Sequence, residues 1–248
     1  DLSAQNFIDI LRSVPDRLRN LTPEINYLAA KKLELQGYPR NAIKEYRNLI
    51  NTDSIKYSAL SRYDNAILSQ SIGVMPLKEA ISELEMLRFA WGEANFKLKL
   101  LDKLSELYLK DFDYYNALRT LNDAGNFVKD NQEKQKIASR MVRVFEGIFL
   151  SNQADSKLSP VKALALYKDF QWLADMSSKK NAIMQRLADR LVAVDLLSRA
   201  SELLNELLEA PDLSLENRAR IGARLAIIAL FQEAPTQALE LLNRTASD

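Results

Sequence analysis

Residues 98–124, LKLLDKLSELYLKDFDYYNALRTLNDA, show how this chain is built. Large apolar residues recur every three or four positions in 101–108, which places them on one face of a helix. Residues 111–113, Asp-Phe-Asp, interrupt the pattern with two acids that favour a turn over a helix interior. Helical spacing returns in 117–124. The stretch predicts two short antiparallel helices, and because such a hairpin leaves one apolar side uncovered, it must stack on others like it.

A small residue near the start of the second helix marks each repeat. Ala117 is followed four residues later by Leu121, and the same pairing of an alanine with a bulky residue recurs along the chain. The marker alanines are Ala42, Ala80, Ala117, Ala163, Ala200 and Ala238, at intervals of 38, 37, 46, 37 and 38 residues. The regular spacing predicts a helical repeat, and the polar stretch 151–159 accounts for the one long interval.

The order of Ser105, Tyr108, a short turn, Ala117 and Ala124 resembles the tetratricopeptide repeat, although the period here exceeds the usual length of about 34 residues. The resemblance implies an all-α fold, a right-handed α-solenoid of about six tetratricopeptide-like helical hairpins. Residues 184–204, MQRLADRLVAVDLLSRASELL, and the LRFAW of 87–91 are also similar to large alphaproteobacterial tetratricopeptide proteins of undefined role. That similarity implies a piece of a longer, exported protein. It favours a periplasmic location, with a cytoplasmic one second.

We expect one continuous solenoid over residues 1–248, excised from a longer chain. A lead-in helix is expected in 1–22, and Trp91 is expected to fill a gap between neighbouring hairpins. The predicted hairpins lie at about 23–54, 55–92, 95–130, 132–176, 181–211 and 214–245. In the last of them, helices are expected over 216–231 and 236–244.

Composition argues against several classes of function. The net charge of +1 is too balanced to indicate nucleic acid as the main partner, and no apolar run approaches the roughly 18 residues that span a bilayer. The chain has no histidine and no cysteine, so it lacks the commonest general base, the commonest zinc ligand and any thiol nucleophile. Asp111 and Asp113 are expected to be solvated turn residues rather than an acid–base pair. We therefore predict a protein that is not an enzyme, with no catalytic residue, cofactor or metal.

The remaining prediction is a binding surface. In stacked hairpins the first helices line the concave side, so partner contacts fall on their non-core positions, which include Asn65, Ser69 and a set that becomes basic in the second half of the chain. That set comprises Lys99, Lys136, Arg140, Arg143, Gln185, Arg186, Arg220 and Arg224. Because arginine binds carboxylates bidentately, this groove is predicted to hold an acidic peptide or a chain terminus. The competing interpretation is that these charges are solvated or paired within the solenoid.

Two other functions stay open at this stage. Apolar residues in the first and last helices, among them Phe7, Ile8, Leu241 and Leu242, would support self-assembly into oligomers. RNA binding by basic helices is disfavoured because no base-reading residue recurs at equivalent places. A scaffold for a protein or peptide partner ranks first, with no nucleic acid and no membrane insertion within this fragment, and self-assembly ranks second.

Overall fold

The computed structural model describes residues 22–90, 92–151, 156–210 and 213–246. Over these ranges the chain is a series of helices without a strand. The all-α fold of tetratricopeptide-like hairpins that the sequence predicts is confirmed. The lead-in helix expected before Thr22 and the role expected of Trp91 lie outside the described residues. The chain divides into two compact units, Asp1–Lys134 and Gln135–Asp248, and continuity of the solenoid through both stays a prediction.

The first unit contains three helix pairs. Its helices are α1 (Thr22–Leu35), α2 (Pro39–Ile50), α3 (Ile55–Ser71), α4 (Leu77–Met86), α5 (Ala94–Lys110) and α6 (Tyr114–Phe127), with a 3-10 turn over Leu87–Phe89. Each first helix packs on the second helix that follows it, and α2 also packs against α3. The core of this unit includes Tyr63, Leu84, Leu100 and Leu104, all of them buried.

The second unit contains three more pairs. Its helices are α7 (Asn131–Leu150), whose first turn precedes the unit boundary, α8 (Pro160–Asp169), α9 (Gln171–Met176), α10 (Lys180–Val192), α11 (Leu197–Leu208), α12 (Leu215–Phe231) and α13 (Pro235–Thr245). The return segment of its first pair is broken at Phe170 into α8 and α9. Phe145 and Phe149 of α7 lie 6.2 and 6.1 Å from the ring of Tyr167, which joins α7 to α8 through an aromatic cluster.

One residue in the left-handed conformation turns the chain in five of the hairpins. These residues are Gly37, Gly73, Phe112, Asp195 and Glu233, with φ between 58° and 81°. In each turn the amide of the next residue donates to the carbonyl five positions back, as Asp113 does to Tyr108 at 2.9 Å. This bond closes the end of the first helix as a Schellman motif, and the chain reverses within three to five residues. The Asp-Phe-Asp turn is therefore confirmed, and Asp113 also caps α6 by accepting from the Asn116 amide at 3.1 Å.

The marker alanines all lie where a second helix meets its neighbours. Five of the six are fully buried, and Ala238 is 3% exposed. A larger side chain at these positions would hold the helices apart, since protein interiors leave little empty space. The burial of all six is what close helix approach at these positions requires.

The closest approach in the last hairpin involves a glycine. Gly222 of α12 faces Thr245 of α13, and a Cβ added to Gly222 would clash with the Thr245 side chain. Thr245 is held there, because its hydroxyl donates to the Leu241 carbonyl at 2.7 Å. By contrast, nothing lies within 4 Å of the position that a Cβ on Gly147 of α7 would occupy.

We therefore expect one substitution to have opposite effects at these two helical glycines. Gly222→Ala should lower the free energy of unfolding by about 1–3 kcal/mol, because the added methyl group overpacks the α12–α13 contact. Gly147→Ala should raise it by about 0.5–1 kcal/mol, because alanine restricts the unfolded chain and favours helix. Urea denaturation followed by circular dichroism measures both. Equal changes of the same sign would contradict this packing of α12 on α13.

Candidate functional site

The first helices of the second unit carry most of its positive charge. Within this unit, helices α7, α10 and α12 together hold nine basic and three acidic side chains. The second helices α8, α9, α11 and α13 hold four basic and five acidic ones. The two sets of helices thus differ strongly in charge, although the whole chain is nearly neutral.

Three of the predicted site residues lie on one face of α7. Lys136, Arg140 and Arg143 follow one another at steps of four and three residues, on the side of the helix opposite the buried Met141 and Phe145. Arg140 is half-buried, and this burial together with the charge of Arg143 lowers the pKa of its guanidinium. The two cations therefore repel each other, and a carboxylate placed between them would relieve that repulsion.

The structure brings Gln185 and Arg224 together between α10 and α12. The Arg224 guanidinium donates to Gln185 Oε1 at 3.4 Å and lies 3.3 Å from Asp189 Oδ2. Both distances are long for charged contacts of arginine, which are usually about 2.7–2.9 Å. One turn earlier on α12, Arg220 pairs with Glu216 at 2.8 Å on an exposed surface. Arg220 and Arg224 thus face solvent with partners that water can replace at little cost.

A small apolar cavity lies directly beside Arg224. Its volume is about 190 Å³, and it is lined by Ala188, Asp189, Val192, Leu204, Arg224, Ile227 and Ile228. Ile227 is 51% exposed, and Phe231, one turn further along α12, is 63% exposed. The sequence did not indicate the cavity or these two residues as part of a site, because an apolar residue at helical spacing is normally expected in the core.

We call this surface the first-helix face. It consists of the solvent-exposed side of α7, α10 and α12, with Lys136, Arg140, Arg143, Gln185, Arg220 and Arg224, and it includes the cavity lined by Ile227.

Arg186 has a structural contact instead. Its guanidinium donates to the carbonyl of Leu150, the last residue of α7, at 3.0 Å. Arg190, one turn along α10, donates to the Leu158 carbonyl just before α8. The two arginines therefore bind backbone carbonyls on both sides of the connection between α7 and α8, and the one at the end of α7 has no helical partner.

Lys99 lies in the first unit, apart from the basic set of the second. Its ammonium group lies 4.8 Å from the centroid of the Tyr63 ring. On the neighbouring α1, Lys31 pairs with the buried Asp64 at 3.0 Å, and Tyr27 donates to the same carboxylate at 2.6 Å. Burial and the adjacent Asp64 raise the pKa of Tyr27. These contacts tie α1 to α3.

The structure corrects one expectation for the partner-facing surface of the first unit, which concerns Asn65 and Ser69. Both were predicted to face a partner, yet they are 4% and 0% exposed. The Ser69 hydroxyl donates to Asn65 Oδ1 at 3.4 Å. Their small polar side chains satisfy each other within the packed hairpins, so the prediction for this pair is wrong.

Within the described ranges there is no group of three or more acidic side chains that could hold a metal ion. A search of the same residues for a helix long and apolar enough to cross a membrane also finds none.

Comparison with known proteins leaves the family of this chain undefined. No family model matches it, and no curated protein is significantly similar in sequence. Among solved structures, NprR in complex with its cognate peptide NprX is 13% identical, with 97% of this chain and 70% of that chain covered and a TM-score of 0.44. PilF of Pseudomonas aeruginosa is 14% identical, with 91% and 92% covered and a TM-score of 0.41. The TPR2AB domain of yeast Sti1, in its pHSP90 complex, is 13% identical, with 91% and 90% covered and a TM-score of 0.39. Because all three TM-scores lie below 0.5, the description of the fold rests on the helix pairs of this chain alone.

The contacts of Arg186 and Arg224 predict different effects on stability. Arg186→Ala should lower the free energy of unfolding by about 1–2 kcal/mol, because the carbonyl at the end of α7 loses a charged donor. Arg224→Ala should change it by less than about 0.5 kcal/mol, because a half-exposed ion pair contributes little. Urea denaturation of the two variants compares them directly. A larger loss for Arg224→Ala than for Arg186→Ala would contradict this assignment.

Proposed function

We propose that this chain is a non-catalytic protein-interaction scaffold that binds an acidic polypeptide segment on the first-helix face. The observation that supports this most is the uneven charge of the second unit, with nine basic and three acidic side chains on its first helices. A surface of this kind attracts an acidic segment over distances of about a Debye length, roughly 8–10 Å at physiological salt.

The cations of this face are arranged to bind carboxylates. Arg220 and Arg224 present guanidinium groups one turn apart, and a guanidinium can hold a carboxylate through two parallel hydrogen bonds. Their present partners, Glu216 and Asp189, are themselves more than half exposed. A ligand carboxylate can therefore take their place without leaving a buried charge unpaired.

A second proposal is self-assembly through the last hairpin, as a module of a larger envelope-associated protein. Leu239 and Leu242 of α13 are 63% and 43% exposed and lie one turn apart on the helix, so they offer an apolar contact to a second copy of the chain. Light scattering that showed oligomers growing with concentration, and lost in Leu242→Glu, would favour this function over binding of a separate partner. A periplasmic location remains an expectation from the sequence resemblance alone.

The test uses a random dodecapeptide library displayed on phage, selected against the full chain. We expect peptides rich in aspartate and glutamate, with binding that weakens as salt rises. A triple variant, Lys136→Glu/Arg143→Glu/Arg220→Glu, should bind the selected peptides at least about tenfold more weakly, because it places repulsive charge on the first-helix face. All three residues are exposed, so folding should be retained.

The matched control is Lys162→Glu/Arg199→Glu/Arg244→Glu. It makes the same change in net charge at exposed positions on the second helices α8, α11 and α13. We expect the control to bind like the native chain, apart from a small long-range effect of net charge. Equal weakening in both triple variants would contradict the assigned face, and a selection that enriches no peptide would contradict the proposed function itself.

A further inference from the structure

We infer that the acidic segment is anchored by one bulky apolar side chain, which enters the cavity between α10 and α12 while a neighbouring acidic residue binds Arg224. This inference rests on the proposed function and specifies its ligand: an amphipathic acidic polypeptide rather than a purely charged one.

The cavity has the size and lining of a side-chain pocket. Leu204, Ala188 and Ile228 are at most 2% exposed and form its floor, while Val192 and Ile227 stand nearer to solvent. All five side chains are aliphatic, so an apolar group that enters gains contacts and leaves no polar atom stranded. At about 190 Å³, the cavity is smaller than the roughly 300–1,000 Å³ of typical small-molecule sites. It therefore fits one side chain of a polypeptide better than a cofactor.

The polar members of the lining lie at the cavity mouth. The side chains of Asp189 and Arg224 are 55% and 33% exposed, in contrast to the buried floor. Gln185 contacts the same guanidinium from one turn earlier on α10. A ligand carboxylate can displace Asp189 from Arg224, and the Gln185 amide is then available to a ligand backbone group. The apolar and acidic parts of the ligand must therefore be close in its sequence.

One face of α12 also combines a charged part with an apolar part. Arg220, Arg224, Ile227 and Phe231 follow at steps of four, three and four residues and share one side of the helix. Two cations occupy its N-terminal half, and two exposed apolar residues occupy its C-terminal half. A bound segment should therefore direct its acidic residues towards Arg220 and its apolar residues towards Phe231. An RNA or a polyphosphate would use only the charged half, so the apolar half favours a polypeptide.

The experiment takes the tightest dodecapeptide from the phage selection and replaces each of its residues by alanine in turn. We expect one apolar residue whose replacement weakens binding about tenfold or more, as buried anchor residues do in other interfaces. The variant Val192→Phe should fill the cavity and weaken binding of the unsubstituted peptide by a similar factor. Loss of the anchor residue from the peptide should cause no additional loss of affinity for Val192→Phe. In this variant the cavity that would bind the anchor is already filled.

Two further variants make the result specific to the cavity. Val194→Phe is the same substitution two residues further on, at a position that is 48% exposed and does not line the cavity, and it should leave binding unchanged. Ile227→Ser removes apolar lining without adding bulk, so it should weaken binding even if Val192→Phe proves poorly folded by circular dichroism.

The outcomes separate this inference from the proposed function. Peptides that need the first-helix cations but contain no essential apolar residue would overturn the anchor and leave the proposed function standing. Full binding by Ile227→Ser, or by a folded Val192→Phe, would do the same. Peptides whose binding does not respond to charge reversal on the first-helix face would overturn both.

Discussion

The whole fold depends on how closely its helices can approach one another. At each of six places a second helix presents an alanine to its neighbours, and none of the six is more than 3% exposed. In the last hairpin the requirement is stricter, because Gly222 leaves no room for a methyl group beside Thr245. A repeated small residue at the same position allows a similar helix separation in each pair, so each unit can bury its core between neighbouring helices without a single large centre. Side chains that point away from these contacts are left for binding.

Much of this architecture could be predicted from the sequence, because helical spacing and small-residue spacing are local properties. The helix expected over 216–231 is found over Leu215–Phe231, and that expected over 236–244 over Pro235–Thr245. The turn conformations were less visible. Gly37 and Gly73 suit a positive φ, and Asp195 tolerates it better than most residues, whereas Phe112 and Glu233 adopt the same conformation with side chains that disfavour it. At those two turns the packing of the helices imposes the conformation, and no residue type signals it.

For the candidate site, the sequence predicts the charge of the surface but not its shape. The excess of basic residues on α7, α10 and α12 follows from their spacing in the sequence. The different contacts of these arginines do not follow from the spacing. Arg186 and Arg190 bind backbone carbonyls of a distant segment, while Arg220 and Arg224 form ion pairs that are open to solvent. The cavity was hidden for a related reason. Ile227 and Ile228 are adjacent and chemically identical, yet one is half exposed and the other buried, which depends on how α10 and α12 pack. The proposed binding surface thus lies on the exposed sides of helices whose other sides fix the fold.

The most direct test of this account is hydrogen–deuterium exchange of the full chain with and without a selected acidic dodecapeptide. Binding to the first-helix face should slow exchange in the half of α10 and α12 that borders the cavity, and in the part of α7 around Arg140 and Arg143. Exchange in the second helices α11 and α13 should be nearly unchanged on their exposed sides. Protection confined to α11 and α13, or to the first unit, would contradict the claim that the first helices of the second unit form the binding surface.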